Sequence, residues 1–286
     1  MSKNQSPSNA NLLFAPLGKV SDNPTSYSPE SLFPILRSTN RLQLLGFSPQ
    51  QPLFMGVDIW NAYEVSWLGK RAKPELAIAK IQVPANSPAI FESKSLKLYL
   101  NSLNYLQVGS IAEVQALITK DLSSVAQAPV QVQLMSPDDW RHIRLTQPVG
   151  TCLDRLDLEI NPSDTPNLLW LSADFQSAPV AEVLFSNLLR SNCPVTGQPD
   201  WATIFIDYAG PQIAQEGLLR YLISFRHHQE FHEHCVEKIF CEITAQCRPS
   251  KLTVYARYTR RGGVDINPFR TNSSGPWPEN HRLPRQ

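Results

Sequence analysis

The order in which the apolar periodicity changes along the second half of the chain is the strongest constraint on its fold. Residues 181–189 and 201–208 are strand-like, and apolar side chains then recur every three or four residues over 218–225 and 231–247. This spacing predicts two amphipathic helices. Residues 252–258 then alternate apolar and polar side chains, as in a half-buried strand.

A hairpin is predicted after that last strand. Arg261-Gly262-Gly263 can turn the chain, and residues 264–269 can pair back. The segment 153–160, which precedes the other strands, is also strand-like. The pattern from residue 181 on therefore predicts the order strand-strand-helix-helix-strand-strand.

The first half repeats this order. Apolar segments at 53–68 and 75–83 precede helical patterns at about 95–106 and 110–126, and residues 130–134 alternate again. Helices segregated to one face of an antiparallel sheet define an α+β class, which is the fold class we predict.

The seam between the two repeats lies near 145–165, so we predict an N-terminal half over 1–150 and a C-terminal half over 151–286. Residues 1–35 are rich in Ser, Asn and Pro and are predicted to be a flexible tail. The apolar residues through which this tail would dock, if at all, are Leu12, Leu13 and Phe14.

The charge balance excludes one class of function. The chain has 26 Lys and Arg against 25 Asp and Glu, whereas an extended binder of nucleic-acid backbones needs a basic face. No export signal and no apolar run of membrane-spanning length is visible. The five cysteines are an odd number without a CxxC pair, which favours reduced thiols. We expect a cytoplasmic protein that binds neither nucleic acid nor membrane directly.

One cysteine lies in a setting suited to chemistry. Cys193 falls in a loop rich in Pro and Gly between two apolar runs, and Asp200 follows it. A loop cysteine can be reached by solvent, and a nearby acid can protonate the product of its attack. An inert loop cysteine and a turn aspartate after Pro199 are the alternatives.

Four histidines, at positions 227, 228, 232 and 234, form a second candidate site. If the segment is helical, His228 and His232 share a face with the spacing of a two-histidine metal site. The Glu of the His-Glu-x-x-His motif is missing, however, and so is the Pro-Cys-x-x-Cys pattern of the deaminases. A partly paired helix start is the alternative.

Two further segments suit nucleotide binding. Glu92-Ser93-Lys94 opens a predicted helix, where Ser93 can be the cap and where phosphate is favoured. The sequence contains no GxGxxG, which excludes a Rossmann site. Arg261-Gly262 offers instead a fixed cation beside a backbone that phosphate can approach.

Four of these segments together resemble one known family. They are Phe91-Glu92-Ser93-Lys94-Ser95-Leu96-Lys97, the Cys193 to Asp200 loop, Phe231-His232-Glu233 and Arg261-Gly262-Gly263. The resemblance is to the nitrile reductases that reduce 7-cyano-7-deazaguanine with NADPH on the route to queuosine in tRNA. It spans roughly residues 50–270, with no departure at the motif positions.

The resemblance implies a fold and an activity. The fold is a tandem tunnelling fold, with one strand-strand-helix-helix-strand-strand unit in each half and a homodimer as the expected assembly. The activity is that of an oxidoreductase that converts the nitrile to 7-aminomethyl-7-deazaguanine with two NADPH. The partner is thus a small deazapurine, and no metal is implied.

The resemblance also implies residue roles. Cys193 is the nucleophile that forms a covalent thioimide, Asp200 is the acid, and His232 is a possible second proton donor. Glu233 accepts hydrogen bonds from the deazaguanine edge. The remaining substrate contacts are Phe91, Glu92, Ser93 and His232, and the cofactor contacts are Ser93, Lys94, Arg261 and Gly262.

Two alternatives stay open at this point. One is a zinc-dependent pterin or purine enzyme of the same fold class, with His228 and His232 as ligands. The other is a purine-binding module without catalysis, which would tolerate the loss of Cys193.

Overall fold

The computed structural model describes residue 16 and residues 23–161 and 163–286. Leu12, Leu13 and Phe14 lie outside the described residues. The α-helices are α1 Arg37–Arg41, α2 Ser93–Ser102, α3 Ile111–Ala126, α4 Gln215–Ile223 and α5 His232–Cys247. The strands are β1 Pro34–Leu36, β2 Met55–Leu68, β3 Pro74–Pro84, β4 Ala89–Phe91, β5 Gln131–Met135, β6 Thr151–Cys152, β7 Ala173–Asp174, β8 Val180–Asn192, β9 Pro199–Gly210, β10 Gln212–Ile213, β11 Lys251–Tyr258 and β12 Val264–Thr271.

The chain forms two compact units that are not consecutive in sequence. Unit 1 consists of Met1–Arg41, Ile59–Ile143 and Arg261–Val264. Unit 2 consists of Leu42–Asp58, Arg144–Arg260 and Asp265–Gln286. The predicted division at residue 150 stays a prediction.

Unit 2 is an antiparallel sheet with helices on one face. Its strands are ordered β12–β11–β9–β8–β6, and all the neighbours pair antiparallel except the short β6, which runs parallel to β8. Alternate residues of β9 and β11 are buried in one core with the apolar sides of α4 and α5. This arrangement confirms the α+β class.

The apolar stripe predicted for 231–247 explains this packing. Cys235, Cys241 and Cys247 are fully buried along α5, together with Ile239 and Phe240. Burial raises the pKa of Cys235 and of Cys247 to about 12. These thiols therefore stay protonated and serve as packing groups.

A buried ion cluster fixes α5 against the sheet of unit 2. The Arg270 guanidinium of β12 lies 2.7 Å from Asp58 Oδ1 and 2.7 Å from Glu237 Oε1, and all three side chains are fully buried. Although burial acts in the opposite direction, the two carboxylates raise the pKa of Arg270 above its usual value. Removing one partner of such a group costs about 3–5 kcal/mol, because a buried charge is left without compensation.

Unit 1 contains the strands β5–β3–β2 and the helices α2 and α3. β3 and β5 pair antiparallel, and α3 packs on β4 and β5. The predicted helices at about 95–106 and 110–126 are confirmed, except that residues 103–105 form a 3₁₀ turn. Ser110 caps α3 by accepting a hydrogen bond from the Glu113 N–H at 3.3 Å.

The structure corrects the predicted strand at 153–160. The strand that pairs with β8 here is Thr151–Cys152, and the following Leu153–Arg155 is a 3₁₀ turn. The Asp154 carboxylate accepts hydrogen bonds from the Ser186 hydroxyl at 2.6 Å and from the Asn187 N–H at 3.0 Å. Ser186 and Asn187 lie where the β8–β9 register shifts. The Asp154 carboxylate therefore accepts the hydrogen bonds of donors at this irregular position.

Two other expectations differ from the structure. After β5, the first half continues with the 3₁₀ segment Pro137–His142 where the repeat pattern predicts a second strand. In the predicted tail, Pro34–Leu36 pairs with β4, because Leu32 and Ile35 are apolar enough to be buried. Over the described residues, no helix is long and apolar enough to cross a membrane.

Candidate active site

Cys193 lies at the tip of the hairpin that joins β8 to β9. Its N–H donates to the Gln198 carbonyl at 2.8 Å, and its carbonyl accepts from the Gly197 N–H at 3.0 Å. Gly197 has a φ of +67°, a conformation that glycine adopts without strain. The loop is therefore closed on itself by backbone hydrogen bonds.

The segment before α5 holds the same loop from outside. The Asn192 N–H donates to the His228 carbonyl at 2.8 Å, and the Asn192 carbonyl accepts from the Glu230 N–H at 3.1 Å. The Asn192 side-chain amide also donates to the Arg226 carbonyl at 2.8 Å. The residue before Cys193 is thus fixed by three hydrogen bonds.

A cysteine in a loop can be open to solvent, but Cys193 is only 7% exposed. Its Sγ lies 3.5 Å from the Thr196 N–H, a donor that would also stabilise a thiolate. The thiol is free of any disulfide.

The buried Asp200 pairs with the half-buried His232. Asp200 is only 4% exposed and lies in β9 opposite Ser191. It is therefore not the exposed turn residue of the alternative interpretation. The His232 Nε2 lies 3.4 Å from Asp200 Oδ2. A proton can pass between the two groups at this separation with little movement.

His232 is stacked on Tyr258. The two ring centroids are 3.9 Å apart and the planes are inclined by 13°. Tyr258 is fully buried at the end of β11, and burial raises the pKa of its hydroxyl well above the usual value. A neutral, immobile phenol ring therefore fixes the plane of the imidazole.

Glu233 follows His232 in the first turn of α5 and is 2% exposed. Its position is secured one turn later, where Glu237 binds the buried Arg270. The helix start thus presents His232 and Glu233 from a rigid element.

The helical pairing of His228 and His232, on which the zinc alternative depended, is not formed. His228 follows the 3₁₀ segment Ser224–His227, and α5 begins only at His232. The His228 ring packs edge-on against Phe225 at 5.3 Å, and burial lowers the pKa of its imidazole. The described residues include no group of three or more side chains suited to a metal ion. The zinc alternative thus loses the geometry on which it depended.

In unit 1, Glu92 caps α2. Its carboxylate accepts hydrogen bonds from the Lys94 N–H at 2.5 Å and the Ser95 N–H at 2.8 Å. Ser93, which the sequence favoured as the cap, is the first helical residue instead. Burial raises the pKa of Glu92 above its usual value, although these N–H groups and Lys97 act in the opposite direction.

Phe91, a predicted substrate contact, is 2% exposed and lies edge-on to Trp60, with the ring centroids 5.9 Å apart. Its ring thus belongs to the core of unit 1. The packing fixes the end of β4, from which Glu92 and Ser93 follow.

The turn at 261–264 also belongs to unit 1. The Arg261 N–H donates to the Val264 carbonyl at 2.9 Å, and Gly262 and Gly263 have φ of +56° and +72°. A Cβ at Gly262 would lie 3.3 Å from Cε and Nζ of Lys97. The start of α2 and this turn, distant in sequence, therefore lie side by side.

Sequence reasoning did not single out Tyr258 and Lys97 as site residues. The alternation of β11 places Tyr258 on the helix-covered face, but a stack on His232 requires the tertiary arrangement. Lys97 was visible as the last residue of the 91–97 motif, and only its contact with the turn makes it notable.

The arrangement permits two kinds of chemistry. Unit 2 combines a thiol with a buried carboxylate and imidazole, which suits nucleophilic attack with proton transfer. Unit 1 combines cations, a helix start and a glycine turn, which suits binding of phosphate groups. A side chain at Gly262 would crowd Lys97 and would have to adopt a φ of +56°, which L residues rarely do.

Two family models match this chain. Residues 23–134 match the family described as "Nitrile reductase, 7-cyano-7-deazaguanine-reductase N-term", and residues 199–276 match the family described as "QueF-like protein". An apo crystal structure of the archaeosine synthase QueF-Like aligns over 35% of this chain and 99% of its own, at 18% identity and a TM-score of 0.30. That similarity is too low to bear on the fold.

Curated relatives are far more similar to this chain. The "NADPH-dependent 7-cyano-7-deazaguanine reductase" of Ralstonia nicotianae is 54% identical over 95% of this chain and 98% of its own length. The proteins of the same name from Cupriavidus pinatubonensis and Burkholderia ambifaria are 52% and 53% identical, with the same coverage.

Proposed function

The chain belongs to the family of NADPH-dependent 7-cyano-7-deazaguanine reductases, and on that premise we propose that it reduces this nitrile through a covalent thioimide on Cys193. It is an oxidoreductase. The product would be 7-aminomethyl-7-deazaguanine, an intermediate on the route to queuosine in tRNA. The support is the pair formed by the buried Asp200 and the half-buried His232, beside the hairpin that carries Cys193.

Cys193 would begin the reaction by attacking the nitrile carbon. The new Sγ–C bond replaces one π bond of the C≡N group, and the thiol proton is transferred to the nitrogen. Asp200 is the group that carries this proton, because it is buried, lies on the strand that leaves the hairpin and contacts a second proton carrier. His232 passes protons to and from Asp200 over 3.4 Å.

The cofactor supplies two hydrides, one for each NADPH oxidised. Converting a nitrile to an amine takes up four electrons and four hydrogens, so two protons accompany the two hydrides. After the first reduction, the C–S bond breaks and Cys193 recovers its proton, which leaves an imine for the second reduction. Asp200 and His232 provide the protons in this sequence, and the low exposure of Cys193 and Asp200 keeps water from hydrolysing the adduct.

Glu233 would orient the substrate. A carboxylate accepts two parallel hydrogen bonds, which matches the ring N–H and exocyclic amine of a deazaguanine. Glu233 is only 2% exposed, so water competes little for these hydrogen bonds and each of them is stronger than it would be at the surface. Glu92 and Ser93 are the proposed contacts from the start of α2.

The segment around α2 and the 261–264 turn fits the phosphates of NADPH. Lys94, Lys97 and Arg261 would hold the phosphates, Ser93 would donate to the nucleotide, and Gly262 leaves the backbone open to close approach. The homodimer expected from the tunnelling fold stays a prediction, which light scattering on the purified chain tests.

Mass spectrometry tests the covalent step directly. The purified chain is mixed with 7-cyano-7-deazaguanine without cofactor, and the expected result is a mass increase by one intact substrate on the peptide that contains Cys193. Addition of NADPH should remove the adduct and consume two NADPH per amine formed. A chain that binds the base but forms no adduct would be the non-catalytic module.

A further inference from the structure

Three arginines surround one tryptophan in unit 2. The guanidinium carbons of Arg190, Arg226 and Arg285 lie 5.4, 5.5 and 6.0 Å from the centre of the Trp201 ring. We call these four residues the arginine–tryptophan cluster. A single guanidinium on an indole is a common cation–π contact, but three on one ring concentrate charge.

Local structure holds each arginine in place. Arg190 is the cross-strand partner of Trp201 in the β8–β9 pair. Arg226 belongs to the 3₁₀ segment Ser224–His227, whose backbone binds Asn192. Arg285 donates to the Asn187 carbonyl at 2.6 Å. The cluster is therefore preorganised by elements that are distant in sequence.

The charge of this cluster is not compensated within the described part of the chain. Among those residues, none of the three arginines forms an ion pair with a carboxylate, in contrast to Arg270, which is held by Asp58 and Glu237. Guanidinium groups stay protonated at every physiological pH, so the three positive charges repel one another. An anion bound among them would remove this repulsion.

The cluster lies apart from the reacting groups. Arg190 and Trp201 alternate with Ser191 and Asp200 along their strands, so they project from the opposite face of the sheet. Arg190 and Arg226 are half-buried, and Arg285 is exposed. A ligand can therefore reach the guanidinium groups from solvent without entering the Cys193 site.

We propose that the arginine–tryptophan cluster is a binding site for a small molecule that carries a diphosphate group. Arginine forks match phosphate oxygens bidentately, and three positive charges favour an anion with several negative charges over a carboxylate. The diphosphate can belong to inorganic pyrophosphate or to a nucleotide, and the experiment below distinguishes these sources.

Isothermal titration calorimetry of the full chain with inorganic pyrophosphate tests the site. Arg190→Gln, Arg226→Gln and Arg285→Gln should each weaken binding about tenfold or more, since each removes charge-assisted hydrogen bonds. Arg220→Gln is the matched control. Arg220 also stacks on a tryptophan, Trp170 at 5.8 Å, and no other arginine of the described residues lies over that ring. This variant should bind pyrophosphate as the wild type does. Circular dichroism verifies that each variant is folded. Arg285→Gln should disturb folding least, because Arg285 is exposed.

Pyrophosphate could also occupy the proposed cofactor segment, and Arg261→Ala separates the two sites. Binding that survives in Arg261→Ala and weakens in Arg226→Gln supports the proposal. Binding lost in Arg261→Ala and unchanged in all three cluster variants would overturn it, as would the absence of saturable binding.

The source of the diphosphate follows from kinetics with NADPH. A raised KM for NADPH in Arg226→Gln and Arg285→Gln would identify the nucleotide as the ligand. An unchanged KM together with weakened pyrophosphate binding would identify a separate phosphorylated ligand. Either result leaves adduct formation on Cys193 intact, so failure of this site is distinguishable from failure of the proposed reaction.

Discussion

The imidazole of His232 lies nearly parallel to the phenol ring of Tyr258, with 3.9 Å between the ring centroids. The same imidazole reaches Asp200 with its Nε2 at 3.4 Å. Since Tyr258 is fully buried at the end of a strand, it acts as a fixed wall for His232. The tyrosine ring thus positions the proposed proton carrier His232.

This arrangement predicts different effects for two substitutions of Tyr258. Tyr258→Phe keeps the stacked ring and should retain most of kcat. Tyr258→Leu removes the ring and should lower kcat about three- to tenfold, because an aromatic pair contributes roughly 0.5–1.5 kcal/mol beyond its buried area. Steady-state kinetics over a range of pH measures both. Equal losses in the two variants would show that the hydroxyl matters instead of the ring.

Cys193→Ala should abolish both the adduct and turnover while the chain stays folded. The side chain is small, so its removal should cost only about 1 kcal/mol of stability even though the residue is buried. Adduct masses, NADPH consumption and a thermal melt measure these quantities. Cys247→Ala is the control. The Cys247 thiol is buried in the core, so this variant should keep wild-type turnover. Wild-type turnover in Cys193→Ala would contradict the proposed covalent mechanism.

Asp200→Asn should retain substrate binding and lose about 10²- to 10⁴-fold in kcat, because an amide cannot deliver the proton. Asp207→Asn is a suitable control, since Asp207 lies on the same strand but is exposed. Rapid-quench measurement of adduct formation locates the loss in the first step. A loss below about threefold would make His232 the acid.

Lys94→Ala, Lys97→Ala and Arg261→Ala should each raise the KM for NADPH about ten- to a hundredfold, the value expected for one charge-assisted contact. None should change adduct formation on Cys193, which needs no cofactor. Lys120→Ala, an exposed lysine of α3, provides the control. Unchanged KM values in all three variants would contradict the proposed cofactor site. They would leave the proposed role of Cys193 as nucleophile unaffected.

His228 should make the protein less stable in mild acid. Burial lowers the pKa of this imidazole below 6.5 in the folded state, so the unfolded chain binds a proton more readily. The free energy of unfolding should therefore fall as the pH drops below about 6.5. Urea titrations at several pH values measure this dependence, and it should be weaker in His228→Asn. The same slope in both proteins would contradict the assignment.

Local pattern predicted much of this protein correctly. Side-chain periodicity was sufficient to predict helices α4 and α5 and strands β8, β9 and β11. Each of these elements buries one face, and the apolar spacing of that face is visible in the sequence whichever element packs against it. The segment 153–160 was predicted wrongly because its apolar spacing resembles a strand, whereas Asp154 binds donors at the β8 bulge. A hydrogen bond to a distant strand leaves no periodic signal.

The sequence by itself identified the candidate residues for chemistry. Cys193, Asp200, Glu233 and Arg261 were recognisable because the short motifs that contain them resemble one family, and a motif is local in sequence whatever the fold around it. Only the tertiary structure decided their settings. It closed the loop over Cys193, stacked His232 on Tyr258 and brought the 261–264 turn beside Lys97. Burial and contact between distant segments depend on packing of the whole chain, which no short motif encodes.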